Sequence, residues 1–224
     1  MHEGHRKRLK ARFRQEGLEH FSEINILELL LFYSVPRRDT NPIAHELLAK
    51  YGNIANVLEA DFDDLLKVNG ITESSASLIT MLLPLYRRYM DIKSQPGIII
   101  NRLSDAAEYL VHSYTGEKSE IVKMMAIDSK GKLIGTYTLF EGNFNSVDIN
   151  IRKLVESVIL TKASAVILAH NHPDGIALPS RQDVNTTKKI RDVLESISVD
   201  LLDHIIVADG DFVSLFQSRE SYDL

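Results

Sequence analysis

The densest group of residues that could perform chemistry follows the most apolar run of the chain. His170 and His172 come directly after the run 165–169, and Asp183 lies eleven residues after His172. Residues two apart on a β-strand point to the same face, so the two imidazoles are expected to lie side by side. Two nitrogens and one carboxylate oxygen, with a fourth position left to water, describe a catalytic zinc site. Such an ion lowers the pKa of its water towards ~7 and makes hydroxide available at neutral pH.

The same residues also have a structural interpretation that needs no metal. A lone His-x-His pair is a short motif with a high false-positive rate. Ser180 and Asp183 have the spacing of a capping box, in which Ser180 caps a helix and Asp183 reaches back to the Ser180 backbone. The two interpretations are compatible, because a capped and rigid first turn can also hold a ligand in place.

Helices and strands alternate in the part of the chain that contains these residues. The hydrophobic pattern predicts strands at 121–127, 133–140, 165–169, 202–207 and 212–215, and helices at 104–114, 150–162 and 181–196. Ser104 is expected to be the N-cap of the first of these helices. Interleaved helices and strands predict an α/β arrangement of layers around one sheet.

The first part of the chain has helical spacing throughout. The pattern predicts helices at 5–15, after Ser22, after Pro42, at 61–68 and at 72–89. The run Ser94-Gln95-Pro96-Gly97 combines turn residues with a change in local charge and is the best linker candidate. The predicted organisation is therefore a helical domain at 1–93, a linker at 94–98 and a second domain at 99–224.

The composition excludes several classes of protein and site. The 224 residues are 44% hydrophobic and 25% charged, which is typical of a globular protein. The absence of cysteine excludes thiol nucleophiles, disulfides and thiolate-bound metals, so His, Asp or Glu must hold any metal. The net charge of -5 argues against a global footprint for nucleic acid. No apolar stretch approaches the ~18–20 residues that span a membrane, and a cytoplasmic protein without a membrane partner is expected.

Two motifs resemble a known family. The run His170-x-His172-Pro173 followed by Pro179-Ser180-x-x-Asp183 is similar to the JAMM motif of JAB/MPN metalloproteases. The whole chain, from Gly4-His5-Arg6 through Leu29 to Asp203-His204-Ile205-Ile206, resembles bacterial RadC-like proteins. The resemblance covers nearly all of the chain. It implies an α/β (α+β) JAB/MPN-type sheet with flanking helices, preceded by a small all-α domain of helix-hairpin-helix type.

The resemblance also implies roles for individual residues. Zinc would be held by His170, His172 and Asp183, and Ser180 would help to stabilise the oxyanion. A Glu on an earlier strand would be the general base for the zinc water. Glu120 matches the family placement, and Glu141, just before Gly142, is the competitor. Asp174 departs from the pattern, which usually has Ser there, and a turn role in Pro-Asp-Gly is its simpler explanation.

Three features of the sequence have both a functional and a structural interpretation. His204 could supply a hydrogen bond to a ligand imidazole or be a buried structural residue. The hairpin Asn69-Gly70-Ile71-Thr72 resembles a helix-hairpin-helix element that binds phosphate, yet nearby acidic residues favour a packing role. Six basic residues of the first helix could contact nucleic acid, an acidic protein or solvent alone: Arg6, Lys7, Arg8, Lys10, Arg12 and Arg14.

The leading hypothesis is a zinc-dependent hydrolase, a metallopeptidase or isopeptidase that cleaves an amide bond in a peptide or protein substrate. Manganese, iron or nickel could occupy the same ligands. The alternative is a DNA-associated binding module in which the JAMM half acts as a scaffold.

Overall fold

The structure is a computed structural model that describes residues 2–93, 99–100, 102–142, 151–173 and 175–218. It divides into two compact units, Met1–Tyr86 and Arg87–Leu224. The predicted linker at 94–98 lies outside the described residues, so the proposed domain boundary stays a prediction.

Helices build the first unit. Their bounds are α1 (His2–Glu16), α2 (Glu23–Leu31), α3 (Asn41–Tyr51), α4 (Ile54–Glu59), α5 (Phe62–Leu65) and α6 (Glu73–Lys93), and the division between the units falls within α6. Ser22 caps α2 by accepting a hydrogen bond from Asn25 N. Gly17 ends α1 with a φ of 69°, a left-handed conformation that suits glycine. The unit has its own apolar core, to which α2, α3, α4 and α6 contribute.

A five-stranded sheet with flanking helices forms the second unit. Its elements are α7 (Leu103–Ser113), β1 (Ile121–Ile127), β2 (Leu133–Glu141), α8 (Ile151–Thr161), β3 (Ala165–Asn171), α9 (Arg181–Ser196), β4 (Asp200–Ala208) and β5 (Asp211–Ser214). The strand order is β2-β1-β3-β4-β5. The pairing of β3 with β4 is parallel, and the other pairings are antiparallel.

Alternate residues of the central strands face two different helical layers. Val122 and Met124 of β1 pack with Leu168 of β3 and with α8 and α9. Met125 of β1 and Ile167 of β3 pack on the opposite face with α7. The sheet is therefore a middle layer, with α8 and α9 on one side and α7 on the other.

An extra residue in β4 changes which side chains face α9. Val166 pairs with Leu201, but the next residue, Ile167, pairs with Asp203, so Leu202 is bulged out of the register. Leu168 then pairs with His204. Because of the bulge, His204 faces the α8 and α9 layer, as Leu168 does.

The predicted fold class is confirmed, namely a mixed α/β domain preceded by a helical region. The bounds predicted for β1 and α9 are those observed. The N-cap prediction for Ser104 is wrong, because α7 begins at Leu103 with Arg102 as its N-cap. Asp105 accepts a hydrogen bond from Arg102 N and stabilises that earlier start.

Candidate metal centre

The end of β3 places the two histidines on one face of the sheet. His170 pairs with Val122 of β1 and with Ile206 of β4. His172 follows the strand, and its backbone N–H donates to Val207 O over 2.8 Å. The Nε2 atoms of His170 and His172 lie 3.0 Å apart. The predicted side-by-side arrangement of the imidazoles is therefore observed.

The first turn of α9 brings Asp183 to the same point. Ser180 caps this helix, since its Oγ accepts from Asp183 N over 3.1 Å and its backbone N–H donates to Asp183 Oδ2 over 2.7 Å. Asp183 Oδ1 lies 3.4 Å from His170 Nε2, and Asp183 Oδ2 lies 3.9 Å from His172 Nε2. The capping box is confirmed. Because it holds Asp183 beside both imidazoles, the structural and the ligand interpretations coexist.

The spacing of these three residues fits a metal ion. One potential ligand atom from each lies within 4.8 Å of the others. Atoms that bind a tetrahedral ion at about 2.0–2.1 Å lie roughly 3.3 Å from one another. The separations at the cluster, from 3.0 to 3.9 Å, bracket that value. The residues present therefore fit a single small divalent cation.

Hydrogen bonding sets the tautomer of His172. Its Nδ1 lies 3.1 Å from the backbone oxygen of Ile176. A carbonyl oxygen can only accept, so Nδ1 carries the proton and donates it. In the neutral ring Nε2 then holds a lone pair, and this lone pair points at the cluster. The ligand side of His172 is therefore in the form that binds a metal.

Burial keeps His170 uncharged. Its side chain is 1% exposed, and this burial is the main cause that lowers the pKa of His170 to about 4. The negative charge of Asp183 acts in the opposite direction and raises the pKa, and His172 lowers it by a smaller amount. A neutral imidazole is the form that coordinates metals. On its other side, His170 Nδ1 lies 2.8 Å from Nε2 of His204, a buried residue of β4.

The sheet register separates the two candidate general bases. Glu141 pairs with Ile121, whose side chain packs on the α7 face. Residues directly opposite each other in an antiparallel pair share a face, so exposed Glu141 belongs to the face away from His170. Glu120 precedes β1, and its carbonyl accepts from Gly142 N, so it continues the alternation on the His170 face.

The surroundings of Glu120 support a special position for its carboxylate. Its Oε2 atom is buried and has no hydrogen-bond partner among the residues that the structure describes. Asn171 holds the backbone on either side: its Oδ1 accepts from Ile121 N over 2.7 Å, and its Nδ2 donates to Ser119 O over 3.0 Å. A buried carboxylate oxygen without a partner is costly, so it marks a place where a ligand or water belongs.

Sequence reasoning missed two residues that organise this centre. Asn171 stands between the two histidines and fixes the backbone around Glu120. Thr187 donates to Asp183 O and contacts His204 Nδ1, each over 2.6 Å. Its position four residues after Asp183 on a helix puts it on the same helix face, which is the signal that could have found it. Asp174 and the segment 143–150 lie outside the described residues.

The basic helix α1 uses half of its charges for packing. Arg6 donates to the backbone oxygens of Phe32 and Val35, and its guanidinium lies over the Phe32 ring. Lys10 lies over a Tyr33 ring and Arg12 over a Phe21 ring. The remaining three basic residues of the helix are exposed, namely Lys7, Arg8 and Arg14.

The hairpin between α5 and α6 is closely packed. Gly70 has a φ of 90°, and a Cβ built there would lie 2.8 Å from the side chain of Ile43. Glycine is therefore required for both its conformation and its small size. This contact with the core of the unit accounts for the glycine without a bound phosphate.

None of the described helices combines the length and the apolar character that crossing a membrane requires.

The chain is similar to known proteins over the segment that contains the observed sheet and the candidate site. The model of the RadC-like JAB domain matches residues 100–221, which include β1 to β5 and the three potential ligands. The chain is 32% identical over 211 residues to a UPF0758 protein of Alteromonas mediterranea, and the alignment covers 94% of each protein. The chain therefore belongs to the family of proteins with a RadC-like JAB domain.

Proposed function

We propose that this protein is a JAMM-type metal-dependent hydrolase, a zinc metallopeptidase or isopeptidase that cleaves an amide bond. The observation that carries the proposal is the convergence of His170 Nε2, His172 Nε2 and Asp183 on the sheet face that also bears Glu120. Zinc bound to these ligands supplies a Lewis acid and a water molecule of lowered pKa. Zinc is chosen by ligand type, and manganese, iron or nickel accept the same donors.

Glu120 is assigned the proton transfers. A general base must lie within hydrogen-bond reach of the proton that it takes. The buried Oε2 has no partner among the described residues, so no protein donor competes with water for it. Glu120 then accepts a proton from the attacking water and returns it to the leaving amine.

Ser180 is assigned the stabilisation of the developing oxyanion. Its Oγ accepts from Asp183 N, and that bond leaves the hydroxyl proton available for donation. Donors held in place before the reaction stabilise developing charge most effectively. The capping box holds Ser180 in this way.

Metal content per chain tests the centre first. Protein purified without chelators or a histidine tag is expected to contain about one zinc, and the variant His170→Ala/His172→Ala none. A matched control, His20→Ala/His45→Ala, removes two exposed histidines of the helical unit and is expected to keep the metal. Wild-type protein that stays metal-free after dialysis against zinc contradicts the proposal.

A library of peptides and isopeptides tests the hydrolase itself. The metal-loaded wild type is expected to cleave at least one member, and Glu120→Gln none. A fully loaded preparation that cleaves nothing in a broad library counts against a peptidase, as does full activity in Glu120→Gln.

The alternative, a DNA-associated binding module, is favoured by the exposed basic residues Lys7, Arg8 and Arg14 of α1. We propose it as the second candidate. Neutralising all three to Gln is expected to abolish DNA binding and its salt dependence, because each phosphate contact releases counterions. A control that neutralises Lys188, Lys189 and Arg191 of α9 is expected to bind as the wild type does. DNA binding that survives the α1 substitutions contradicts this candidate.

A further inference from the structure

A chain of hydrogen bonds runs from His170 into the protein and returns to Asp183. His170 Nδ1 lies 2.8 Å from His204 Nε2, and His204 Nδ1 lies 2.6 Å from Thr187 Oγ1. Thr187 Oγ1 lies 2.6 Å from the backbone oxygen of Asp183. All four residues are at most 3% exposed, so solvent does not compete for these bonds.

The proton positions along this series of hydrogen bonds follow from the backbone oxygen of Asp183, at which the series ends. A backbone oxygen only accepts, so the single hydroxyl proton of Thr187 goes to Asp183 O. Thr187 Oγ1 can then only accept from His204, which places the proton of His204 on Nδ1. The opposite direction would leave two oxygen lone pairs facing each other over 2.6 Å.

The tautomer of His204 in turn fixes the tautomer of His170. A neutral imidazole carries one N–H, and in His204 that proton lies on Nδ1, so its Nε2 is an acceptor. His170 must then donate from Nδ1. A neutral His170 with its proton on Nδ1 has a lone pair on Nε2, the atom that faces His172 and Asp183.

We propose that His204 and Thr187 are positioning residues that hold His170 in the tautomer with an unprotonated Nε2, and so set the affinity of the centre for its metal. The inference rests on the metal centre of the proposed function. It adds a specific relay, which starts at one ligand and ends on the backbone of another, so the relay aligns His170 and Asp183 together.

The bulge at Leu202 is what brings His204 into the relay. Without the extra residue, the alternation along β4 would turn His204 towards the α7 face. Asp203 does not join the relay in its place, because its carboxylate accepts from Ser214 Oγ, from His204 N and from Phe216 N. The imidazole of His204, and not the neighbouring carboxylate, therefore contacts the ligand His170.

The test replaces the Thr187 hydroxyl with a methyl group of similar size. Thr187→Val is expected to weaken zinc binding by about 10- to 100-fold in competition with a chromogenic chelator, the usual effect of losing a group that orients a ligand. Thr187→Ser restores the hydroxyl and is expected to bind within about threefold of the wild type. A matched control, Thr161→Val, removes a similar hydroxyl-to-carbonyl bond from α8 and is expected to leave the affinity unchanged.

Nitrogen-15 NMR of the imidazoles in metal-free protein gives a second readout, the tautomer of His170. Thr187→Val would not change this tautomer if Thr187 had only a structural role. In the wild type, His170 is expected as the Nδ1–H tautomer, and in Thr187→Val a fraction is expected to shift to Nε2–H. An Nε2–H tautomer of His170 in the metal-free wild type overturns the inference. So does a Thr187→Val variant with wild-type affinity and an unchanged tautomer.

The two proposals fail in different ways. If the wild type binds zinc and cleaves nothing, the hydrolase fails and the relay is still judged by affinity and tautomer. If the wild type binds no metal, the proposed centre fails and the role of the relay in metal affinity fails with it. The tautomer of His170 then tests the hydrogen-bond assignment alone, which an Nε2–H tautomer overturns. If Thr187→Val does not fold, the wild-type tautomer alone decides.

Discussion

The two units of this protein treat their charged and polar side chains in opposite ways. In the helical unit, Arg6 is held by backbone oxygens of its own unit, and Asp64 is contacted by Lys50, Tyr51 and Lys67. At the candidate metal centre, two imidazole nitrogens and a carboxylate face one another across 3.0 to 3.9 Å. Arg6 and Asp64 are thus matched by groups of their own unit, whereas the lone pairs of the three residues in the second unit converge on a point that a cation would stabilise.

This difference shows that a small group of converging polar residues indicates a binding site better than a run of charged residues does. The helix α1 has six basic residues, yet three of them pack against aromatic rings and carbonyls of their own unit. Lone pairs that face one another at the separations seen among His170, His172 and Asp183 repel unless a ligand compensates for them.

Neutralising the carboxylate of Glu120 is expected to have the largest effect on the rate of hydrolysis, and neutralising that of Glu141 a small one. Glu120→Gln should lower any detected hydrolysis by about 10²- to 10⁴-fold, the usual contribution of a general base. Glu141→Gln should leave the rate within about twofold, because Glu141 lies on the other face. Steady-state kinetics of both variants would measure this. Equal losses in the two variants would contradict the assignment made from the register.

Metal binding is expected to stabilise only the second unit. At a free zinc concentration of 100 times Kd, that unit gains about 2.7 kcal/mol, because the ion binds the folded form. Hydrogen exchange with and without a chelator should show increased protection in β3 and α9 and none in α2 or α3. Uniform protection of both units would contradict a metal site confined to the second unit.

Adding a methyl group at Gly70 of the hairpin should destabilise the helical unit and leave the candidate metal centre unchanged. Gly70→Ala is expected to lower the free energy of unfolding by roughly 2–4 kcal/mol, from the positive φ together with the clash at Ile43. Gly17→Ala is the control, with a positive φ and no atom within 4 Å, and should lose only about 1–2 kcal/mol. Denaturant unfolding measures the difference, and equal losses would exclude close packing as the reason for Gly70. Zinc affinity should be unchanged in both.

The smallest expected effect is on the acid stability of the helical unit. Hydrogen bonds from Lys50, Tyr51 and Lys67 hold the pKa of Asp64 well below its usual value. A lowered carboxyl pKa contributes stability above the unfolded value of about 3.9, and this contribution is lost as the pH falls through the folded value. Asp64→Asn should therefore show a weaker loss of stability below pH ~4 than the wild type, with Asp63→Asn as the charge-matched control. Acid unfolding curves that coincide for wild type and Asp64→Asn would contradict this.

Much of the fold could be predicted because its signals are local. The hydrophobic pattern predicted the bounds of β1 and α9, and the Ser180 and Asp183 spacing predicted the observed capping box. Errors arose where a different local interaction set the end of a helix. The start of α7 at Leu103 depends on the bond between Asp105 and Arg102 N, and the short helix α4 was not predicted at all.

The sequence by itself determined that His170 and His172 share a face and that Asp183 begins a helix, since covalent geometry sets the spacing along a strand and within a turn. Only the tertiary structure showed that Glu141 lies on the face away from His170, which is why Glu120 is the proposed base. The two glutamates lie on different strand ends, and a shift of one residue in pairing would exchange their faces. The bulge at Leu202 likewise turned His204 towards Thr187 and His170. Pairing between distant strands depends on how the whole sheet packs, so the spacing of residues along the chain does not predict the strand register.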